Sequence, residues 1–543
     1  MINASRSSRR LGKKSLAGIA GIVAAATLLS KAFGYLRQAS ILAAFGTGPV
    51  TDANAAAYAL PAFMLVLLGG VNGPFHSAII SAIARKKREE VAPIVETITT
   101  IVGIVLAGVT VAIILFAPAV IDLFAPGFGE TDVGLLVTRP IAIAMLRVMA
   151  PIAVFAGFIG IGFGSLNADD QYWLPSVSPL LSSVTVVLGL LILRLVLGEQ
   201  ISDPSYFMTG GIVVAGGTLT GAMLQWLVQV PALAKSGLGR LRLRFDIHNP
   251  GVRDVLKVLV PATLSSGTLQ INALTDLRFA TYIPQAPAAL ESASLLVLAP
   301  LGIISNVVLV PFFPVFSRLA EPALWPDLKL RIRQSLMLVA LTMMPISALI
   351  ITLARPIVTV AYRYGAFDED SVEIVSSLLI AYGIGMFVYL ARDVMVRVFY
   401  ALGDGQTPFK ISLVNIVINF ALDYVFLKLM GAPGLVIATV GVNLVSLIAM
   451  TILLARKIGG LPLIEWTGAI TTVFAVSMVS GLSCWLTLGG LASVLGSEGF
   501  VTNLVQVCVA GAVGSTTFVL IAVVLKIPEA ELLIQQVRQR FSR

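Results

Sequence analysis

The fold is decided by stretches such as VTNLVQVCVAGAVGSTTFVLIAVVL, residues 501–525, which contain no charged side chain. A helix of this length crosses a bilayer whose hydrocarbon core is about 30 Å thick. Of the 543 residues in the chain, 57% are hydrophobic and 12% are charged, whereas a soluble domain carries about 25% charged residues. The mean hydropathy is +0.95. We therefore interpret the chain as a polytopic membrane protein. A soluble enzyme, a secreted disulfide scaffold and a nucleic-acid-binding domain are excluded.

Apolar runs long enough to cross a membrane recur along the whole chain. We find fourteen, at approximately 16–45, 53–84, 92–121, 139–165, 173–197, 209–234, 253–283, 290–318, 333–354, 372–401, 408–430, 434–455, 465–490 and 501–525. The sequence thus predicts an all-α polytopic membrane protein with about 14 transmembrane helices.

The distribution of basic residues predicts the orientation. The two ends of the chain and the segments after even-numbered spans carry 23 Lys and Arg, against five on the opposite side. Because cytoplasmic loops are enriched in these residues, both termini are predicted to be cytoplasmic. The first apolar run is too long for a signal peptide, so we interpret it as a retained helix. The formal net charge of +9 is then explained by loops that face anionic lipid.

A weak internal repeat predicts two pseudo-symmetric six-helix lobes. The pairs Arg37 and Arg278, Pro74 and Pro311, and Asp169 and Asp404 are separated by 241, 237 and 235 residues. Repeats of this kind are common in transporters. The predicted organisation is a basic cytoplasmic N-terminus (1–15), an N-lobe (16–235), a basic cytoplasmic linker (236–252), a C-lobe (253–456), spans 13 and 14 (457–526) and an amphipathic cytoplasmic tail (527–543).

Charged residues within the predicted spans are candidate substrate ligands, because a charge at bilayer depth usually faces a polar cavity. Most of them are cations, which suits an anionic substrate, and arginine in particular suits phosphate oxygens. The alternative is that several lie near span ends or pair locally. The set comprises Lys31, Arg37, Arg147, Asp276, Arg278, Arg392, Asp393, Arg397 and Asp423.

A second set of residues is polar and mostly uncharged. Asn415, Asn419 and Asp423 recur every four residues in span 11, so they share one face of a helix. Thr439 in span 12 and Asp276 in span 7 could complete a Na⁺ or H⁺ site with them. The alternative is a hydrogen-bonded seam between helices, which Asn and Thr form routinely in membranes.

Signatures of an enzyme are not found in the sequence. The glycines between Gly157 and Gly164 lie within span 4 and match no phosphate-binding loop. The two histidines are far apart, and the two cysteines lie in apolar runs. The sequence therefore predicts a transporter with no resident cofactor and no metal site beyond a coupling cation.

Several motifs resemble the murein precursor flippases, the family called MurJ or MviN. They are LSKAFGYLR (29–37), FG (45–46), TDA (51–53), APGF (125–128), RVFYALGD (397–404), TP (407–408) and APGL (432–435). The resemblance covers essentially the whole chain, and the combination of motifs is specific although no single motif is.

The resemblance implies a lipid II flippase of the MOP exporter superfamily. Such a protein carries undecaprenyl-pyrophosphate-linked disaccharide-pentapeptide between leaflets for peptidoglycan synthesis, with cell-wall synthases as further partners. It also implies substrate-binding roles for Lys31, Arg37 and Asp52 and a sodium site at Asp276, Asn419, Asp423 and Thr439. The lipid tail is expected beside spans 13 and 14.

This chain departs from the family pattern at three cationic positions. Lys31 stands where the family has its first arginine, and apolar residues near Leu65, Val66 and Leu295 stand where two further arginines are expected. Arg147, Arg278 or Arg392 could substitute for them. Two alternatives remain on sequence alone: a flippase of the same fold for another polyprenyl-linked glycan, and a drug/cation antiporter, whose cavity should be acidic.

Overall fold

The structure is a computed structural model that describes residues 16–69, 74–83, 88–240, 242–257, 259, 271–496 and 498–526. Within these ranges every regular element is a helix, and no strand occurs. The predicted all-α class is confirmed. The described chain divides into two compact units, one that ends at Pro284 and one that begins at Gln285.

The described part of the first unit contains thirteen α-helices of very different lengths. They are α1 (Leu16–Phe45), α2 (Pro49–Leu68), α3 (Pro74–Ile83), α4 (Arg88–Leu115), α5 (Ala117–Phe124), α6 (Arg139–Met149), α7 (Ile152–Ala168), α8 (Trp173–Val177), α9 (Leu180–Leu197), α10 (Phe207–Leu227), α11 (Gln229–Lys235), α12 (250–257) and α13 (Ile271–Ala280).

Nine further α-helices lie among the described residues of the second unit. They are α14 (Ala286–Ile304), α15 (Val310–Arg318), α16 (Trp325–Thr352), α17 (Ala354–Tyr362), α18 (Glu369–Ala401), α19 (Gln406–Met430), α20 (Ala432–Lys457), α21 (Leu463–Leu495) and α22 (Phe500–Val524).

Eleven described helices are long and apolar enough to cross a membrane, and twelve if the bent pair Gly134–Met149 and Ile152–Ala168 is one span. The pair bends by 41° next to Pro151, which has no backbone N–H to continue the helix. The other two predicted spans correspond to α1 and to α13. Residues 260–270, which belong to the second of these spans, lie outside the described residues. The count of fourteen stays a prediction.

The first unit is built around α10, which packs against α6, α7 and α9. Its core includes fully buried Met145, Val186 and Val214. A second buried cluster joins α3, α4 and α7 through residues such as Ile79 and Ile98. Helices pack closely in lipid where small residues let their backbones approach, and glycine-rich α7 fits this pattern.

The end of α13 is fastened within the first unit. The backbone N–H of Gly127 donates to Oγ1 of Thr281 at 3.1 Å, and the guanidinium of Arg278 donates to the carbonyl of Leu123. A Cβ at Gly127 would collide with the backbone of Thr281. The APGF motif therefore forms a corner into which α13 fits. The compact unit thus extends beyond the predicted N-lobe boundary, and the division into lobes stays a prediction.

The second unit is built around α16, α18 and α20. Helix α18 packs on α14, α16 and α20, and α19 packs on α20. Helices α21 and α22, the predicted spans 13 and 14, pack on each other and on α16 and α17. Their contact is closed by small residues, since Ser480 Oγ donates to the carbonyl of Gly514 at 2.7 Å.

The same turn ends α7 and α18, which supports the internal repeat. The N–H of Gln171 donates to the carbonyl of Leu166 at 2.9 Å, and the N–H of Asp404 donates to the carbonyl of Phe399 at 2.9 Å. Each bond spans five residues and closes a helix end in the manner of a Schellman turn.

This turn corrects the register of the repeat. It pairs Gln171 with Asp404, at a separation of 233 residues, whereas the sequence paired Asp169 with Asp404. The corrected separation also pairs Pro175 with Pro408. The physical reason is that the helix-ending hydrogen bond, rather than the identity of one acidic residue, fixes the register.

Candidate functional site

Arg37 of α1 is placed against an aromatic ring of α2. Its guanidinium carbon lies 4.7 Å from the centre of the Tyr58 ring, within the range of a cation–π interaction. The Nε atom of Arg37 is buried and has no hydrogen-bond partner among the described residues. Arg37 is therefore held by a ring face, which leaves donor capacity for a bound anion.

A buried amide lies one helical turn from that ring. Asn54 is completely buried, and neither polar atom of its side chain has a partner among the described residues. A buried polar group without a partner costs about 1–3 kcal/mol, so an unused amide is unusual in a structural role. Thr51 and Asp52 precede it in the buried first turns of α2. Sequence reasoning selected Asp52 but missed Asn54 and Tyr58.

The other predicted cations of the first unit have different environments. Lys31 is exposed on α1. Arg147 is exposed, and its Nε donates to the carbonyl of Ile114 at 3.3 Å. Arg278 serves the corner with Leu123 described above. Of the four predicted cations in this unit, Arg37 is the one whose buried Nε has no hydrogen-bond partner among the described residues, although the side chain as a whole is half-buried.

The predicted cations of the second unit lie on α18. Nε of Arg392 donates to Oγ of Ser446 on α20 at 3.3 Å, and its Nη1 lies 3.8 Å from the carboxylate of Asp393. Arg397 is half-buried on the same helix. The local pairing of Arg392 with Asp393, weighed as an alternative from sequence, is confirmed.

The burial pattern of helix α19 is the reverse of that of an amphipathic helix in a soluble protein. Its buried residues are Pro408, Asn415, Asn419 and Asp423, whereas apolar residues such as Val417 are exposed. The shared face that the spacing predicts is therefore confirmed. A helix of this kind presents apolar side chains to lipid and polar ones to the protein.

The polar residues of α19 meet polar residues of α20. Nδ2 of Asn419 donates to Asp423 at 2.6 Å, and Oγ1 of Thr439 lies 3.5 Å from Oδ1 of Asn419. Nδ2 of Asn443 donates to the carbonyl of Thr439 at 2.7 Å. We call Asn415, Asn419, Asp423, Thr439 and Asn443 the polar seam. Asn443 was missed from sequence, although its spacing of four from Thr439 was a signal for it.

The polar seam offers oxygen ligands only, as a hard cation requires. The hydrogen bonds that it makes also suit a packing seam, so cation binding stays a prediction. Asp276, the fourth predicted ligand, belongs to the first unit, and its part in the site stays a prediction as well.

The loop before α19 carries a charged tie outside the membrane-spanning segments. Nζ of Lys457 donates to Asp404 at 2.6 Å, and Asp404 also accepts from the backbone N–H and the hydroxyl of Thr407. The hydrogen bond from Lys457, followed by those from Thr407, holds the pKa of the Asp404 carboxyl below its usual value. The tie fixes the beginning of α19 to the end of α20.

A many-helix membrane fold with intramembrane cations and a buried polar seam defines the class of polytopic membrane transporters. The fold is shared with solved structures: an inward-facing multidrug resistance MATE transporter of the MOP superfamily matches 78% of this chain and 94% of its own, with 17% identity and a TM-score of 0.62. A lipid II flippase MurJ in its inward closed conformation matches 93% of this chain and 99% of its own, with 19% identity and a TM-score of 0.74.

Sequence comparisons give the family. The profile of the lipid II flippase MurJ family matches residues 41–501. A probable lipid II flippase MurJ of Synechocystis is 51% identical over 98% of both chains. The lipid II flippase MurJ of Burkholderia cenocepacia is 27% identical over 78% of this chain and 80% of its own. The chain belongs to the MurJ family of flippases, as the motifs suggested, and is a multi-pass membrane protein.

Proposed function

We propose that this chain flips lipid II from the inner to the outer leaflet of the bacterial cytoplasmic membrane by alternating access, for peptidoglycan synthesis. The observation that carries the proposal is the 51% identity to a probable lipid II flippase over 98% of both chains. The intramembrane arginines support it, because the pyrophosphate of the substrate is an anion.

Arg37 is the side chain best placed to hold the pyrophosphate. Tyr58 supports its guanidinium from one side, and a planar fork of donors matches phosphate oxygens in pairs. Asn54 offers an amide on the same helix as Tyr58, without a partner in the described structure. Lys31, Asp52, Arg147, Arg278, Arg392 and Arg397 complete the proposed substrate-binding set.

The driving force is proposed to be a gradient of Na⁺ or H⁺. Asp423 and Asp276 supply carboxylates, and Asn419 and Thr439 supply neutral oxygens. A cation that binds one conformation more tightly than another shifts the balance between them. The proximity of Asn419, Asp423 and Thr439 in the second unit supports this role.

A flippase of the same fold for another polyprenyl-linked glycan is the second candidate. It is favoured by the departures from the family pattern, with Lys31 and the apolar residues Leu65, Val66 and Leu295 at positions where arginines are expected. A drug/cation antiporter is less favoured, because the intramembrane charges are mainly basic.

Depletion of the protein separates these candidates. Lipid II is expected to accumulate in the inner leaflet, as measured by its accessibility to an external probe in spheroplasts. Unchanged lipid II with accumulation of another polyprenyl-linked glycan would select the second candidate.

The role of Arg37 is tested in the depletion background. Arg37→Ala should abolish complementation at normal membrane abundance, whereas Arg37→Lys should restore it only in part, because a point charge replaces a bidentate fork. Arg194→Ala, near the end of α9, is the matched control and should be active. Full activity of Arg37→Ala would refute the assignment.

The proposed orientation has both termini in the cytoplasm and the lipid tail beside α21 and α22. Reporter tags inserted after Lys87 and Gly237 should report the cytoplasm, and tags near Gly127 and Asp203 the outside. A reversed signal at any of the four positions would contradict the topology. Lipid II is the proposed substrate partner, together with membrane lipids and cell-wall synthases.

A further inference from the structure

The basic segment after α11 lies along α4 and is joined to it by its backbone. The N–H of Arg240 donates to Oε1 of Glu96 at 3.0 Å, and the N–H of Arg244 donates to Oγ1 of Thr100 at 3.1 Å. Leu238 is buried against the same cluster as α4. We call residues 238–240 and 242–247 the basic strap.

The basic strap alternates charged and apolar side chains. Leu243, Phe245 and Ile247 are 83%, 62% and 51% exposed, and they alternate with Arg242, Arg244 and Asp246. Three exposed apolar side chains beside arginines are typical of a segment at the membrane–water interface, where the apolar groups enter lipid and the guanidiniums meet headgroups.

A cavity of about 410 Å³ lies between the basic strap and helices α4, α7 and α10. Its wall includes Gly103, Phe158 and Trp226, and the two rings lie 5.2 Å apart between centroids. A Cβ at Gly103 would lie 3.0 Å from the Phe158 ring, so the absence of a side chain at Gly103 leaves room for this ring. The cavity also reaches Ile104, which is 55% exposed on the surface of a membrane-spanning helix.

Two cations stand at the same cavity. Arg240 and Arg242 line it and are exposed. Glu96 does not neutralise them, because its carboxylate accepts from the backbone of Arg240 and lies 3.9 Å from the guanidinium of Arg244. Among the described residues, neither Arg240 nor Arg242 has an ion-pair partner.

We propose that this cavity binds one anionic phospholipid, with an acyl chain along Phe158 and Trp226 and the phosphate on Arg240 and Arg242. The largely apolar wall suits an alkyl chain, and the guanidiniums match phosphate oxygens. The interfacial pattern of the basic strap places both groups at headgroup depth. The site differs in residues from the substrate and cation sites proposed above.

The test uses the full-length protein in phosphatidylcholine bilayers with brominated lipids, which quench tryptophan on contact. The contribution of Trp226 is the difference between the wild type and Trp226→Phe. Brominated phosphatidylglycerol should quench it with an apparent preference of about thirty-fold over brominated phosphatidylcholine, as two arginines near a headgroup imply. Equal quenching by the two lipids would overturn the proposal.

Paired variants separate the two halves of the site. Arg240→Gln/Arg242→Gln should reduce the preference for phosphatidylglycerol to near unity, and Ala107→Phe should lower quenching by both lipids because it fills the cavity. Val105→Phe, on the exposed side of the same helix, should leave both values unchanged. A preference that survives the double arginine variant would overturn the proposal.

A last arm distinguishes a structural lipid from the substrate. Undecaprenyl pyrophosphate at the same mole fraction should not displace brominated phosphatidylglycerol from Trp226. Displacement would overturn the proposal and show that the cavity receives the substrate, whereas failure of flipping in the Arg37 variants bears only on the proposed function.

Discussion

In the predicted internal repeat, helices α9 and α10 of the first unit correspond to α19 and α20 of the second, yet the two pairs are joined by different chemistry. The corrected repeat pairs Val186 with Asn419 and Leu190 with Asp423, all four of them buried. Lipid offers no hydrophobic driving force between helices, so such pairs rely on close backbones or on hydrogen bonds. The first pair relies mainly on closely approaching backbones, with a hydrogen bond from a side chain to a backbone carbonyl, and the second relies on hydrogen bonds between side chains.

The first pair is held by what we call the glycine seam, Gly217 and Gly221 of α10 against Ser182, Thr185 and Val186 of α9. Oγ1 of Thr185 donates to the carbonyl of Gly217 at 2.7 Å. A Cβ at Gly217 would lie 2.9 Å from the Cα of Val186.

The glycine seam contains no charged side chain, while the polar seam carries the carboxylate of Asp423. The comparison teaches that similar pairs of helices are joined by small residues in one unit and by polar side chains in the other.

The largest effect is expected when residues of the polar seam are replaced by the apolar residues found at the corresponding positions of α9. Asn419→Val/Asp423→Leu should keep the helical fold at a cost of about 1–3 kcal/mol. The hydrogen-bonded pair is replaced together by apolar groups, but Thr439 loses its contact with Asn419. Transport should fall by about 100-fold or more, since loss of even an outer-sphere partner costs 10–100-fold in metal affinity. Complementation and lipid II flipping measure the loss, and thermal unfolding measures the fold.

Two further variants sharpen this result. Asp423→Asn should remove the dependence of transport on Na⁺ or membrane potential while keeping the seam hydrogen-bonded. Val414→Leu, on the exposed face of α19, should behave as the wild type. Unchanged ion dependence in Asp423→Asn and Asp276→Asn would show that the polar seam only packs helices together. It would then differ from the glycine seam in its hydrogen bonds but not in its role.

A smaller effect is expected when a methyl group is added within the glycine seam. Gly221→Ala places a Cβ against the Cα of Ser182, and overpacking of this kind costs about 1–3 kcal/mol. Gly216→Ala is the control, because a Cβ there has nothing within 4 Å. The difference in midpoint of thermal or denaturant unfolding should separate the two, and equal midpoints would show that α9 and α10 do not rely on close approach.

The smallest effect concerns the ties outside the membrane. In the first unit Nε2 of Gln171 donates to Oγ of Ser236 at 2.5 Å, while in the second unit Lys457 donates to Asp404. Because the pKa of Asp404 is lowered in the folded state, the tie stabilises the fold above the unfolded pKa of about 3.9. That contribution is lost as the pH falls through the lower, folded pKa.

Asp404→Asn should therefore cost about 0.5 kcal/mol near neutral pH, because the amide oxygen can still accept from Thr407 but the charge beside Lys457 is lost. The variant should also remove this acid-dependent loss. The ion pair itself adds little, because Lys457 is 39% exposed. Unfolding midpoints from pH 6 to pH 3 measure the effect, with Gln171→Leu as the control that keeps the acid dependence. An Asp404→Asn variant with the wild-type pH profile would contradict the charged tie.

Much of the polar seam could be predicted from sequence, because the spacing of Asn415, Asn419 and Asp423 places them on one face of a helix. The pairing of Thr439 with Asn419 followed from a short turn between antiparallel helices. The contact of Arg37 with Tyr58 could not be predicted, since it depends on how α1 lies on α2.

Two further features also needed the three-dimensional structure. The unsatisfied amide of Asn54 follows from complete burial, which an apolar span does not reveal residue by residue. The fastening of Arg278 to Leu123 joins residues far apart in the chain, so span positions alone suggested a substrate role for that arginine.

The corner formed by the APGF motif has a consequence for biogenesis. Because Gly127 and Leu123 receive Thr281 and Arg278, the first unit is completed only when the chain has been synthesised to Pro284, well past the basic linker. The helices synthesised earlier therefore lie in the membrane without their contacts to α13 until that point. A gene divided at the linker would place α13 on a different fragment from Gly127 and Leu123. A division after Pro284 would instead give each fragment all the helices of its own unit.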